Sequence, residues 1–301
     1  LLKGGYPKRY AMGLIAASGT LGILIPPSIP LIVFGVTADE SIGKLFMAGI
    51  LPGIFLGGIL LVSAILYARK HNYGRGEKSS WSERWRATFK AIPGAFLPVL
   101  ILGSIYTGIA TPTEAAVVAV FYTLFVSIFI YRELGWKDIR PVLRETINTS
   151  SMIFLIIAAA LVFALFLTNN QVPNKVAQWI GDSNLNVFAF FLVTQLMFFI
   201  MGTFLEAVSI ILITLPILLP IIKQLGIDPI HFAIVMTVNM ELAMITPPVG
   251  LNLFVVSSMA RERLEEVVRG VAPFIAIMIG VLLLFVIWPD ISLYIPRVLM
   301  Q

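Results

Sequence analysis

Cysteine is absent from all 301 residues, and histidine occurs only twice, as His71 and His231. The first absence excludes a disulfide framework and any thiolate metal site. The second, with neither histidine near a ligand-spaced partner, gives no support to a catalytic metal centre. Charge is scarce too: charged residues make up 12% of the chain against 58% hydrophobic, and the mean hydropathy of +0.95 lies well outside that of a soluble domain. Phosphate loops, dinucleotide fingerprints and nucleophile–base pairs are missing, and Leu1-Leu2-Lys3-Gly4-Gly5-Tyr6 lacks the charged, apolar and small-residue order of a signal peptide. What fills the chain instead is a series of apolar stretches long enough to cross a hydrocarbon core of about 30 Å. They recur from end to end, so the expected fold is all-α and polytopic, an integral membrane protein rather than a soluble domain on one anchor. The net charge of +5 sits mostly in a few loops, where membrane topology accounts for it without a nucleic-acid partner.

Two of the apolar stretches carry the same interruption. One reads Leu21-Gly22-Ile23-Leu24-Ile25-Pro26-Pro27-Ser28-Ile29-Pro30, the other Leu242-Ala243-Met244-Ile245-Thr246-Pro247-Pro248-Val249-Gly250-Leu251-Asn252, with the Pro-Pro pairs 221 residues apart. The same offset pairs Gly5 with Gly226, Gly49 with Gly270 and Pro52 with Pro273, which marks an internal repeat. A Pro-Pro pair removes two backbone donors and pushes the preceding residue out of the α region, so each copy is a span broken near its middle. Unwound backbone at membrane depth persists only where protein or a cavity satisfies it. Paired broken spans in two related halves mark the binding site of a secondary transporter.

Membrane segments are expected at about 10–36, 49–68, 91–109, 114–131, 150–168, an interrupted pair 187–202 and 206–222, then 230–259 and 270–288. Arg69, Lys70, Arg75, Lys78, Arg84, Arg86 and Lys90 make 69–90 a basic loop, cytoplasmic by the positive-inside rule. Alternating crossings then bring Arg132, Lys137, Arg140 and Arg144 to the same side on a surface helix, and later Arg261, Arg263 and Arg269. Trp81, Trp85 and Trp136 beside these clusters read as interfacial anchors of horizontal helices. The pair 187–222 is either a re-entrant hairpin turning at Gly202-Thr203 or two full crossings. The hairpin is preferred because it puts Glu206 at mid-depth beside the second broken span. With either, the Pro-Pro spans cross in opposite directions and the repeat is inverted. Residues 1–68 are then the end of a first repeat and 91–301 a second. Copy one lacks everything equivalent to about 91–221, so roughly 130 residues, with about three spans and a partner hairpin, are expected before Leu1 from repeat symmetry.

Three stretches, Gly19-Thr20-Leu21-Gly22 running into Ile25-Pro26-Pro27-Ser28-Ile29-Pro30, Gly108-Ile109-Ala110-Thr111-Pro112-Thr113-Glu114-Ala115-Ala116, and Ile245-Thr246-Pro247-Pro248-Val249-Gly250-Leu251-Asn252-Leu253-Phe254, resemble the large membrane subunit of tripartite ATP-independent periplasmic (TRAP) transporters. The resemblance covers the whole chain. It implies an elevator-type transporter of the bacterial inner membrane, driven by a sodium gradient. Its solute would be an organic acid delivered by a periplasmic binding protein, with sialic acid ahead of C4-dicarboxylates. It also implies a small four-helix membrane subunit, separate or fused upstream.

Several residues become candidates. Carbonyls freed before each break can ligate a hard cation, and the half-helix N-terminus after it favours an anion. Sodium is expected near Gly22 and Pro26 in the first break and near Thr246, Pro247 and Gly250 in the second, with Thr20 and Asn252 adding side-chain oxygens and Gly202 and Thr203 contributing from the hairpin turn. Ser28 either caps the half-helix after the first break or, as the family match implies, faces the substrate. Glu206, three residues after Thr203, has capping-box spacing, yet an ionisable group at mid-membrane is a functional candidate. It stands where the family usually has Asp, and either binds sodium or hydrogen-bonds the substrate. Glu241 is a coupling carboxylate or a residue paired inside the bundle. Glu114, in Thr111-Pro112-Thr113-Glu114, reads as a helix cap. Rival readings are a binding-protein-independent dicarboxylate or arsenite-type carrier, an intramembrane enzyme, for which no dyad is present, and a scaffold, which has no use for repeated breaks.

Overall fold

The computed structural model describes residues 1–73, 79–172, 175 and 186–299. The chain opens with α1 (Lys8–Thr20), α2 (Ile29–Ala38) and α3 (Ile42–His71), followed by α4 (Trp81–Tyr106), α5 (Pro112–Phe125) and the long α6 (Trp136–Asn169). After these come α7 (Val187–Gly202), α8 (Ala207–Gln224), α9 (Pro229–Met244), α10 (Leu251–Ala260), α11 (Leu264–Ile287) and α12 (Asp290–Leu299). Among the described residues, 6 helical segments are long and apolar enough to cross a membrane. This is the all-α, polytopic membrane fold expected. Two compact units divide the chain, Leu1–Arg75 with Ala160–Gln301, and Gly76–Ala159.

The first unit contains both copies of the repeat. α1 and α9 start 221 positions apart, at Lys8 and Pro229, and α2 with α10 and α3 with α11 keep that offset to within one residue. Gly5 and Gly226 both hold left-handed backbone, with φ of 83° and 67°, and both Pro-Pro bonds are cis. Packing is reciprocal: α1 lies on α11 as α9 lies on α3, and α1 touches α10 as α9 touches α2. Direction follows from ion pairs. Lys8 and Arg9, at the start of the first broken span, bond Glu262 and Glu266, just past the end of the second, the latter pair at 2.7 Å. The two broken spans therefore run antiparallel, which is the inversion the repeat predicts.

At the opposite end of this unit, Glu40 follows α2. Burial, and after it the nearby Asp228, raises its carboxyl above the usual range, against the lowering pull of Lys223 and Lys44. A raised acid stabilises the fold only while protonated, so its contribution is present below the ordinary carboxylate pKa of about 4.3 and is lost as pH rises through the raised value. E40Q is accordingly expected to melt higher than wild type at neutral pH in a thermal-unfolding assay, with the difference closing on acidification.

The second unit is built on caps and tyrosines. Ser80 with Glu83, and Thr111 with Glu114, form reciprocal capping boxes at α4 and α5, so Glu114 is the helix cap expected. Pro93 and Pro98 lie inside α4. The Tyr131 hydroxyl enters its ladder, donating to the Lys90 carbonyl and accepting from the Gly94 N–H, both at 3.0 Å, and Tyr122 donates to the Pro93 carbonyl at 2.7 Å.

Three local expectations change. Much of the basic stretch 69–90 is helical rather than loop, since α3 runs to His71 and α4 starts at Trp81. Trp81, Trp85 and Trp136 do not sit on separate horizontal helices: the first turns of α4 and α6 continue directly into their apolar segments. And α12, packed on α3 and α9, was not anticipated. Its join to α9 is the buried pair His231 and Ser292, whose Nδ1 and Oγ lie 2.7 Å apart.

Candidate functional site

The two broken spans leave carbonyls without their usual donors. In the second break, Ile245 and Thr246 donate back three residues, to Leu242 at 3.3 Å and Ala243 at 3.0 Å, and the Thr246 hydroxyl also donates to Leu242 at 2.7 Å. Pro247 and Pro248 donate nothing, so the carbonyls of Met244, Ile245 and Thr246 take no backbone hydrogen bond outside the helices among the described residues. In the first break, Leu24 and Ile25 both donate to Leu21, at 3.2 and 2.9 Å, and the carbonyls of Gly22 and Ile25 are left in the same way. Freed main-chain oxygens of this kind suit a small hard cation.

The hairpin joins the second break. Between α7 and α8 the turn is Thr203-Phe204-Leu205, with Thr203 and Gly202 buried. The Gly250 N–H donates to the Thr203 carbonyl at 3.1 Å. A methyl group on Gly202 would stand 2.6 Å from the Ala243 Cβ, so glycine is what lets α7 close on α9 there. Gly250 itself has φ of 58° and starts α10 without a side-chain cap; the Leu253 N–H donates to the Gly250 carbonyl at 2.8 Å, and those of Leu251 and Asn252 precede it without a cap. From α10, the Asn252 side chain donates to the Ala16 carbonyl on α1 at 3.1 Å. Gly202, Thr203, Thr246, Pro247, Gly250 and Asn252 thus form one cluster at the hairpin tip, the second break and the end of α1. In the first break, Gly22 lies on a turn, Leu21–Ile23, that packs against α9 and α3, and Pro26 follows that turn. Thr20 is buried and its hydroxyl donates to Ala17 at 2.8 Å.

Ser28 and Glu206 occupy matching places. Each is the N-cap of its helix, α2 and α8, and these two helices pack together. They run in the same direction, because Glu40, just after α2, senses the charge of Lys223 in the last turn of α8. Each N-terminus carries the positive end of its helix dipole, and the two point the same way. The Ser28 hydroxyl donates to Ile23 and accepts from the Leu31 N–H at 3.5 Å, and the residue is 2% exposed. Contact with a substrate would require it to exchange the Ile23 bond. Glu206 behaves otherwise. It is exposed, its carboxylate makes no capping hydrogen bond, and Thr203 spends its hydroxyl on Ile200 at 2.9 Å. The capping box that the spacing suggested does not form, and the carboxylate is left exposed at the start of α8.

The family model for the tripartite ATP-independent periplasmic transporter, DctM component, matches residues 1–291. The chain belongs to the DctM family. It is 42% identical over 297 residues to the C4-dicarboxylate TRAP transporter large permease protein DctM of Pseudomonas aeruginosa, covering 99% of this chain and 70% of that protein. It is 34% identical over 292 residues to the sialic acid TRAP transporter large permease protein SiaM of Vibrio cholerae, covering 97% and 68%. With the isethionate TRAP transporter permease protein DctMQ of Oleidesulfovibrio alaskensis it shares 39% identity over 295 residues, 98% of this chain and 46% of that one. These relatives are named as permeases, which supports a transport role over an enzymatic one. Carbonyls such as those of Met244 and Ile245 carry no sequence signature beyond the Pro-Pro pair that frees them.

Proposed function

We propose that this DctM-family chain carries out sodium-coupled uptake of an organic acid anion, in the bacterial inner membrane. The solute would be handed over by a periplasmic binding protein, and the chain would work with a small four-helix membrane subunit. The observation that carries the reading is the pairing of opposites in one unit. Carbonyl-rich breaks in antiparallel spans offer sites for a cation, and the positive N-terminal ends of the parallel, packed helices α2 and α8 suit an anion. Sodium is cargo here. The carbonyls of Met244, Ile245 and Thr246 would hold one ion with Gly202, Thr203, Gly250 and Asn252 around them; Gly22, Pro26 and Thr20 belong to the counterpart in the first break. Glu206 would bind either this sodium or a polar group of the solute. Both breaks and the hairpin lie in one compact unit, which suits its displacement as a body in an elevator cycle.

For the solute, the relatives named for C4-dicarboxylates, at 42%, 39% and 38% identity, stand nearer than the sialic acid one at 34%. We therefore place a C4-dicarboxylate ahead of sialic acid, the reverse of the order drawn from sequence motifs. The fused DctMQ relative makes a fused small subunit one form the partner can take. The test is uptake in proteoliposomes containing the full-length permease with its small subunit, supplied with binding protein and a panel of acids. Accumulation is expected only with sodium outside and binding protein present. Unchanged uptake in potassium buffer would refute the sodium coupling; unchanged uptake without the binding protein would favour a self-sufficient carrier.

A further inference from the structure

Glu241 takes no part in the arrangement above, and its surroundings are unusual for a carboxylate. It is 0% exposed, and neither of its oxygens has a hydrogen-bond partner among the described residues. It lies on α9, in which every residue from Ile230 to Ala243 is buried. Among the described residues, the helices packed on α9 bring no counter-charge to its depth. α2, α7 and α10 have no ionisable side chain, and α8 has only Lys223, in its last turn. Those of α1 (Lys8, Arg9, Tyr10) fall in its first turn, and those of α11 (Glu265, Glu266, Arg269) in its first two. α3 has Lys44 near its start and Tyr67, Arg69, Lys70 and His71 at its end; α12 has Asp290, Tyr294 and Arg297. On α9 itself, Asp228 and His231 are at the opposite end from Glu241. Among the described residues no ion pair reaches Glu241, and no cluster of acidic or histidine side chains forms around it.

An ionised carboxylate without counter-charge is among the most expensive groups to hold in a membrane interior. A hard cation would remove that cost but needs several more oxygens. Asn239, whose amide bonds the Gln195 carbonyl at 2.8 Å, is two positions away and so on the other side of the helix. Thr237, one turn earlier on the same face, donates its hydroxyl to Ala233 at 2.8 Å and keeps lone pairs with which to accept. The equivalent position in the first copy is Thr20, a neutral hydroxyl as deeply buried. A neutral acid fits where the other half has a neutral alcohol.

We propose that Glu241 is an intramembrane proton-binding site of the second repeat, occupied by a proton in the arrangement described. The exchange is a simple dissociation, carboxylic acid to carboxylate plus a proton passed to water. Being fully buried, it can exchange with water only when its surroundings open, and the break that begins one turn later, at Ile245, is where its helix is already interrupted. The role of such a site in transport rests on the function proposed above, making one leg of the cycle sensitive to pH; its occupancy does not.

The experiment is infrared spectroscopy of the reconstituted full-length permease with its small subunit, without solute or binding protein, so that its result is independent of uptake. At neutral pH the wild type should show the carbonyl band of a protonated carboxylic acid that E241Q lacks. Replacing potassium by sodium should leave the band in place, and raising the pH should remove it. Absence of any band sensitive to E241Q, or its loss on adding sodium at fixed pH, overturns the proposal, because the carboxylate is then ionised and held by a cation. Should E241Q fail to assemble, a hydrophobic carbodiimide, which adds to protonated carboxyls, reads the same proton in the wild type by peptide mass spectrometry. An adduct on Glu241 that declines with rising pH is expected, and no adduct at any pH overturns the assignment.

Discussion

G13V is expected to prevent stable assembly of the unit that carries both breaks. Where α1 crosses α11, a methyl group on Gly13 would stand 2.0 Å from the Gly270 carbonyl oxygen and 2.2 Å from its carbon. From the other side, one on Gly270 would stand 2.1 Å from the Arg9 carbonyl oxygen. The obstruction is backbone on both sides, so no side chain can swing away; the helices must separate. Separation would also pull apart the Arg9–Glu266 pair that holds their first turns at 2.7 Å. Overpacking typically costs about 1–3 kcal/mol where neighbours can shift, and with rigid backbone opposed the loss is expected at or above that range. Gly58, within α3, has nothing within 4 Å of where its Cβ would be, so G58A serves as control and should gain roughly 0.5–1 kcal/mol from helix propensity. Thermal unfolding followed by size-exclusion chromatography of the detergent-solubilised protein measures both. A G13V protein as monodisperse and heat-resistant as wild type would mean that α1 and α11 do not cross this closely.

The repeat was legible because it rests on residues with backbone consequences. Pro-Pro pairs break helices whatever surrounds them, and Gly5 and Gly226 are needed where the chain turns left-handed. Antiparallel order was legible through charge, and the Lys8–Glu262 and Arg9–Glu266 pairs are its structural counterpart. Gly13 has no such mark in the sequence, because its equivalent at the repeat offset is Ile234: a lone glycine in an apolar run has no periodic partner to flag it. α12 is unmarked for a different reason. Its apolar residues, Ile291 and Leu293 among them, are buried against neighbours distant in sequence, in a stretch too short to read as a span. The Thr203-to-Glu206 spacing misled in its own way. A capping box needs Thr203 at the N-cap, but Phe204 and Leu205 continue the turn and α8 begins only after Glu206. Spacing gives the residues of a cap; where the helix starts decides whether they meet.

That displacement turns Glu206 into the sharper test of the site. E206A is expected to abolish sodium-driven uptake while leaving insertion and assembly intact. The stability cost is small, because the carboxylate makes no capping hydrogen bond and forfeits only its attraction to the α8 dipole, roughly 0.3–1 kcal/mol. The functional cost is large, because no other acidic side chain is found in the hairpin turn or in either break. E206D keeps the charge at the helix start with one methylene less, and it restores the acid usual in the resembled family, so uptake should largely survive. E206Q keeps the length and loses the charge, and it separates the two proposed roles. If Glu206 helps to hold sodium, E206Q should raise the sodium concentration needed for half-maximal uptake; if it hydrogen-bonds the solute, E206Q should weaken solute affinity at saturating sodium. Flux measured in proteoliposomes against both concentrations distinguishes these. Full uptake by E206A would place the pocket away from the α2 and α8 N-termini, and with it the anion-binding half of the proposal would fall.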